Sequence, residues 1–102
     1  MDLNERYCIK RLIIQSGRRL SRQYHEHKRE TLILIAGGAW IEGVNRNDLN
    51  AWTAMVMDIP YVIEPGTIHR VEGAADSGAV VFEVSTPEID DVVRLDDDFG
   101  RT

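Results

Sequence analysis

The fold of this chain is constrained most strongly by short apolar segments that turn residues interrupt at regular intervals. About seven or eight strand-like segments follow one another at roughly ten-residue spacing, which is typical of all-β sandwiches and barrels. Glycine, proline and asparagine separate these segments, and no segment keeps a helical period over about three turns. We therefore predict an all-β protein that forms a barrel or a sandwich.

The individual strands can be placed by their alternating or continuously apolar character. They are predicted at residues 6–15, 18–27, 30–36, 39–42, 51–58, 61–63, 67–72 and 79–85. Gly37-Gly38 is typical of a tight hairpin turn, so the segments on its two sides are expected to pair. The chain length suits a single domain of residues 1–102, with the acidic residues 88–102 as a tail packed on the barrel.

Charge and cysteine content narrow the classes of partner and compartment. The formal net charge of −5 makes nucleic acid and anionic membranes poor candidates, although local arginines can still hold a small anionic substrate. The single cysteine, Cys8, excludes an intramolecular disulfide and a zinc site of several thiolates. The N-terminus has no signal-peptide pattern, and the longest apolar run, residues 32–36, is far too short to cross a bilayer. We expect a cytoplasmic protein that binds a small molecule.

All three histidines of the chain occur in a pattern that suits metal binding. His25 and His27 are two residues apart in a predicted strand, so their side chains are expected to point to the same side. Glu30 follows three residues later, and His69 comes soon after the Pro65-Gly66 turn. Imidazoles and a carboxylate suit zinc, manganese, iron, cobalt or nickel without selecting among them. We predict a divalent metal site formed by these four side chains, against the alternative that they are half-exposed polar residues of strands.

Several basic residues lie close to the histidines in the sequence. Arg19 has the same strand parity as the paired histidines, and Arg70 directly follows His69. Arginine can clamp a phosphate or a carboxylate with two parallel hydrogen bonds, which makes these two residues candidates for substrate binding. The alternative is a solvated surface whose positive charges pair with the acidic tail.

These residues resemble the motifs of the cupin superfamily. The first cupin motif contains a glycine, a His-x-His pair, a glutamate and a second glycine, matched here by Gly17, His25, His27, Glu30 and Gly37. The second motif contains Pro-x-Gly-x-x-His, and residues 64–69 read Glu-Pro-Gly-Thr-Ile-His. The resemblance implies a single-domain cupin-type jelly-roll β-barrel, also called a double-stranded β-helix. It also implies a metal near the centre of the barrel, held by His25, His27, Glu30 and His69.

Within the cupins, the chain is most similar to the C-terminal domain of type II mannose-6-phosphate isomerases, a domain often fused to a guanylyltransferase. Residues 20–30 follow that group's Leu-Ser-x-Gln-x-His-x-His-Arg-x-Glu pattern, with lysine in place of the arginine, and residues 90–101 resemble its C-terminal end. The resemblance implies metal-dependent aldose–ketose isomerisation of a sugar phosphate. In that reaction the metal would polarise the C1 and C2 oxygens, and Glu30 or a metal-bound hydroxide would move the proton. Arg19 or Arg70 would hold the phosphate.

Two other functions remain open on the same residues. Thr31-Leu32 stand where the isomerases carry His-Trp, which favours a non-catalytic module that binds metal or sugar. The same ligand set would also serve a non-haem iron or manganese oxygenase. A homodimer is expected for each of these functions, because a small barrel leaves strand edges that need cover.

Overall fold

Two antiparallel sheets form the computed structural model, which describes residues 1–88 and 91–97. The first sheet has the strand order β1 (Asp2–Leu3), β2 (Cys8–Ile14), β9 (Ala79–Ser85), β4 (Glu30–Gly37) and β7 (Pro60–Ile63). The second combines the ladder β6 (Trp52–Ala54), β5 (Ala39–Glu42) and β8 (Arg70–Gly73) with the pair β3 (Arg22–His25) and β10 (Val92–Asp96). Reciprocal backbone hydrogen bonds between Gln23 and His69, at 2.9 and 2.8 Å, join the two parts of this second sheet.

The all-β prediction is confirmed. Residues 1–88 and 91–97 contain no helix, and thus none that is long and apolar enough to span a membrane. The strands predicted at residues 39–42 and 79–85 are β5 and β9 with the same bounds. The strand predicted at residues 18–27 is shorter, since regular pairing covers Arg22–His25 and the chain bends at Glu26 and His27.

Part of the acidic tail expected at residues 88–102 is itself a strand. Val92 pairs with His25 and Val93 with Tyr24, so β10 lies along β3. Neither β10 nor β1 was among the predicted strands. Residues 89–90 and 98–102 of the expected tail lie outside the described part of the chain.

The predicted Gly37-Gly38 hairpin is wrong, because the strands that flank it belong to different sheets. β4 pairs with β9 and β7, whereas β5 pairs with β6 and β8. Gly37 has a φ of 75°, and its Cα lies so close to the Gly78 carbonyl that a Cβ would collide with it. Gly38 donates its N–H to the same Gly78 oxygen at 2.9 Å. The glycine pair lets the chain leave one sheet beside the β8–β9 turn and enter the other.

The interior between the sheets changes from apolar at one end to polar at the other. β4 and β9 run antiparallel through it, and their register pairs Leu34 with Val81, Leu32 with Glu83 and Glu30 with Ser85. Alternate residues of a strand face the same side, and all six of these side chains are buried. Each buried aliphatic side chain contributes about 1.5–3 kcal/mol to folding. The polar end of this interior is the place where buried histidines and carboxylates meet.

Candidate metal centre

Two histidines and one glutamate converge at the polar end of the interior. Nε2 of His69 lies 2.7 Å from Oε1 of Glu30, and Nε2 of His25 lies 3.4 Å from the same oxygen. Each of the three side chains offers a ligand atom within 4.8 Å of the others. The three residues are 5%, 1% and 3% exposed for His25, Glu30 and His69, so water hardly reaches the cluster.

Strand ends bring these side chains together. His25 is the last residue of β3, Glu30 is the first of β4, and His69 directly precedes β8. Gly66 donates its N–H to the His25 carbonyl at 2.7 Å, which holds the turn before His69 against β3. Gln23, two residues before His25, places its Nε2 3.4 Å from Nε2 of that histidine. The cluster therefore depends on β3 and the segment before β8, which backbone hydrogen bonds join, and on β4 of the facing sheet.

The outer nitrogen of each imidazole contacts an acceptor, and this contact fixes the tautomer of the neutral ring. Nδ1 of His25 lies 3.1 Å from Oδ1 of Asp91, and Nδ1 of His69 lies 2.9 Å from the carbonyl oxygen of Thr67. A carboxylate and a backbone carbonyl accept hydrogen bonds and do not donate them, so Nδ1 carries the proton in both rings. In the neutral rings the Nε2 lone pairs then face Glu30.

The atoms of this cluster fit a bound cation. With the proton on Nδ1, the close approach of His69 Nε2 to Glu30 Oε1 brings two acceptors together, which requires either a further proton or a metal ion between them. His69 Nε2 and Glu30 Oε2 are buried without a hydrogen-bond partner among the described residues, and such burial is costly. A cavity of about 20 Å³ adjoins both residues, which is room for one atom-sized occupant. Two imidazoles and a carboxylate are a donor set for the divalent transition metals.

Burial and neighbouring charges shift the pKa values in this cluster. Burial alone would raise the pKa of Glu30, but the adjacent imidazoles of His25 and His69 outweigh this effect and hold that pKa well below the ordinary value. Burial lowers the pKa of His25, whereas the hydrogen bond and charge of Glu30 raise it, and the net result is a pKa above 6.5. Glu30 therefore stays ionised and offers its negative charge to a proton or to a metal ion.

The structure does not bring the fourth expected ligand, His27, into the cluster. The chain bends at Glu26 and His27 directly after β3 ends, and the side chain of His27 is exposed. Its backbone N–H donates to Oδ2 of Asp91 at 2.8 Å, which stabilises the bend. The side chains of His25 and His27 would point to the same side, as predicted, only if the regular strand continued for two more residues.

The described side-chain contacts of Arg70 are with residues other than the three ligands, although this residue also lines the small cavity beside Glu30 and His69. Arg70 follows His69 in the chain, and strand alternation directs its side chain to the opposite face of the sheet. There its Nε donates to the Leu20 carbonyl at 2.8 Å and its Nη1 lies 3.1 Å from Oδ2 of Asp96. Arg19 lines a different cavity, together with Ile13, Ile14, Gln15, Arg18 and Leu20.

Three charged residues near the cluster, the buried Lys28 and Glu83 and the half-buried Asp91, were missing from the sequence-based site. Asp91 holds His25 from the other end of the chain, and Lys28 lies 3.6 Å from Glu83 through its Nζ. Glu83 could have been found from the sequence, because it has the same parity as the apolar Val81 in a strand that was predicted with the observed bounds. Lys28 and Asp91 carry no such local signal, since they lie in a bend and in the acidic tail.

Solved structures share this fold at low sequence identity. An uncharacterized conserved protein with a double-stranded β-helix domain from Klebsiella pneumoniae superposes with a TM-score of 0.77 at 15% identity, covering 92% of this chain and 78% of that one. The L-ribose isomerase of Cellulomonas parahominis superposes with a TM-score of 0.75 at 16% identity, covering 88% of this chain and 58% of that one. The predicted double-stranded β-helix, the jelly-roll barrel of the cupins, is therefore confirmed.

Sequence comparisons identify the family. The mannose-1-phosphate guanylyltransferase ManC of Salmonella typhimurium is 32% identical over 105 residues, which cover 99% of this chain and 21% of that protein. The xanthan biosynthesis protein XanB of Xanthomonas campestris pv. campestris is 30% identical, covering 100% of this chain and 21% of that protein. This chain thus spans about a fifth of the length of these relatives. The family model described as mannose-6-phosphate isomerase C-terminal matches residues 1–97, so the chain belongs to that family of cupin domains.

Proposed function

We propose that this chain binds one divalent metal ion through His25, Glu30 and His69 and isomerises a sugar phosphate between its aldose and ketose forms. The observation that carries the metal site is the arrangement of two buried imidazoles whose Nε2 atoms face one carboxylate oxygen, at 2.7 and 3.4 Å. Membership of a family named after mannose-6-phosphate isomerase supports the choice of reaction and substrate class. Zinc, manganese, iron, cobalt and nickel all suit this donor set.

Each residue of the cluster would have a separate role in such a site. A bound divalent metal would supply the Lewis acid that polarises the substrate carbonyl. Glu30 serves as an anionic ligand, and its lowered pKa makes it a weak base, so its ligand role is better supported than the predicted proton transfer. Asp91 and the Thr67 carbonyl hold the two imidazoles in the tautomer that a metal ligand needs. The described contacts of Arg70 are with Leu20 and Asp96, so we assign no phosphate to it.

A second candidate function, a metal-holding module without turnover, is favoured by the size of the cavity. The cavity that adjoins Glu30 and His69 has a volume of about 20 Å³. Pockets for small-molecule ligands typically measure about 300–1,000 Å³, so a sugar phosphate enters this site only if neighbouring side chains move. A module that holds a metal ion alone needs no such movement.

Turnover on sugar phosphates distinguishes the two candidates. Protein loaded with each candidate metal would be incubated with a panel of aldose and ketose phosphates, and the products followed by proton NMR. We expect exchange that stops on chelation, returns with metal, and is lost in His69→Ala but kept in His27→Ala. Metal binding without turnover on any of these substrates would contradict the isomerase and support the module.

A further inference from the structure

One buried ion pair lies beside the candidate ligands and is not used by the proposed reaction. Nζ of Lys28 lies 3.6 Å from Oε2 of Glu83, and the two side chains are 4% and 11% exposed. Glu83 faces the interior from β9, and Lys28 is fixed by its backbone N–H, which donates to Oδ2 of Asp91 at 2.9 Å. Buried lysine and glutamate side chains are rare in proteins unless they are paired.

Glu83 is close to the metal ligands as well as to Lys28. Glu83 and Glu30 both line the small cavity at the polar end of the barrel, and the Oε2 atom of each has no hydrogen-bond partner among the described residues. Two carboxylates that share a buried site repel one another. Lys28 offsets the charge of Glu83, while Lys10 is more distant, at 4.0 Å, and its side chain is 32% exposed.

The charges of Lys28, Glu83 and Glu30 together determine how strongly the site attracts a cation. When the imidazoles are neutral and Glu83 is ionised, the Lys28–Glu83 pair is neutral as a unit and leaves the negative charge of Glu30 for a cation. Replacement of the Glu83 carboxylate by a neutral group would leave the ammonium group of Lys28 buried and unpaired near that cation. Charges interact more strongly in a buried site than in water, so this repulsion would weaken cation binding.

We propose that Glu83 and Lys28 are positioning residues that set the charge of the metal centre, with Glu83 screening the cation from the buried ammonium group of Lys28. This inference rests on the proposed metal site, and it assigns a role to two side chains that do not themselves bind the metal. This role predicts that the effects of the two residues depend on each other. The loss of metal affinity on replacement of Glu83 should be caused mainly by the unpaired charge of Lys28.

The test is the Co²⁺ affinity of the 102-residue chain, measured by competition with a chromophoric chelator, for four proteins. They are the wild type, Glu83→Gln, the double variant Glu83→Gln/Lys28→Met, and the charge-conserving control Lys28→Arg. We expect Glu83→Gln to weaken Co²⁺ binding about tenfold or more, which is typical for groups that support metal ligands. The double variant should recover most of that loss, and Lys28→Arg should stay within about threefold of the wild type.

Two further readouts separate this role from a purely structural one. The melting temperature of each variant in EDTA reports folding, and the visible spectrum of bound Co²⁺ reports whether the ligand geometry is kept.

Two results would overturn the inference while leaving the metal site intact. One is a Co²⁺ affinity of Glu83→Gln equal to that of the wild type, and the other is a double variant that binds Co²⁺ as weakly as Glu83→Gln. If Glu83→Gln does not fold, the single variant Lys28→Met tests the inference instead. It should bind Co²⁺ no more weakly than the wild type, and weaker binding would overturn the inference. A wild type that does not bind Co²⁺ overturns the metal site and this inference with it.

Discussion

Asp91 holds the imidazole of His25 from a position 66 residues later in the chain, with Oδ1 3.1 Å from Nδ1 of the ring. The other carboxylate oxygen accepts the backbone N–H groups of His27 and Lys28 at 2.8 and 2.9 Å. One side chain therefore fixes the orientation of a candidate ligand and also stabilises the bend that follows β3. Burial would raise the pKa of Asp91, but these backbone and His25 hydrogen bonds lower it overall.

Replacement of Asp91 by asparagine should affect both stability and metal binding. Hydrogen bonds to a charged group contribute about 1.5–3 kcal/mol, so we expect Asp91→Asn to lower the melting temperature in EDTA by roughly 5–15 °C. Loss of the carboxylate that orients His25 should weaken Co²⁺ binding about tenfold. Asp76→Asn, in an exposed turn, is the matched control and should change neither quantity. An Asp91→Asn protein with wild-type melting and affinity would show that this contact has no role.

The stability of the metal-free protein should decrease as the pH rises through neutrality. The folded-state pKa of His25 is above 6.5, so its contribution is complete below about pH 6.5 and is lost as the pH passes the folded-state value. The pKa of Glu30 is lowered, so its contribution is already complete above about pH 4.5 and constant in this range. We expect the melting temperature in EDTA to fall as the pH rises above about 6.5.

The increase in melting temperature caused by metal should change in the opposite direction over the same pH range. A metal ion competes with protons for the imidazoles, so the stabilisation by added Zn²⁺ should grow as the pH rises. Burial and the charge of Glu30 also raise the pKa of Glu83, and the Glu83→Gln variant separates the contribution of that group from that of His25. A melting temperature in EDTA that stays constant or rises with pH would contradict the assigned shift of His25.

Two arginine–glutamate pairs with similar donor–acceptor distances should differ in their effect on stability. Nε and Nη2 of Arg22 donate to Glu42 at 2.9 and 2.8 Å, and the side chain of Glu42 is only 4% exposed. Nε of Arg29 donates to Glu64 at 2.9 Å, but these side chains are 54% and 60% exposed. We expect Arg22→Ala to lower the free energy of unfolding in urea by about 1–3 kcal/mol, because it leaves a buried carboxylate unpaired. Arg29→Ala should cost less than about 1 kcal/mol, and equal losses would contradict this difference.

Local alternation was enough to predict the parts of the site that lie within single strands. Gln23 and His25 were placed on one face of a strand, and their side chains are in contact. Glu30 was placed at the start of a strand that proves to be buried on one face. The same alternation rule, applied to His69, directs Arg70 to the opposite face, so the position of this arginine was also open to prediction.

The features of the fold and the site that the sequence pattern could not predict depend on contacts between distant parts of the chain. The strand that carries His25 ends before His27, and the bend is stabilised by Asp91, 64 residues after His27. No local pattern reports such a contact. The change of sheet at Gly37-Gly38 likewise depends on the approach of Gly78, which belongs to another turn. The expected homodimer stays a prediction.

The metal content of the purified protein tests the central claim most directly. Protein prepared without added metal would be measured by inductively coupled plasma mass spectrometry, alongside His69→Ala and His27→Ala, with melting curves to verify folding. We expect about one transition-metal ion per chain in the wild type and in His27→Ala, and loss of that metal in His69→Ala. A wild type that carries no metal and takes up none from Zn²⁺ or Co²⁺ solutions, or a His69→Ala variant that keeps the wild-type content, would contradict a metal centre formed by His25, Glu30 and His69.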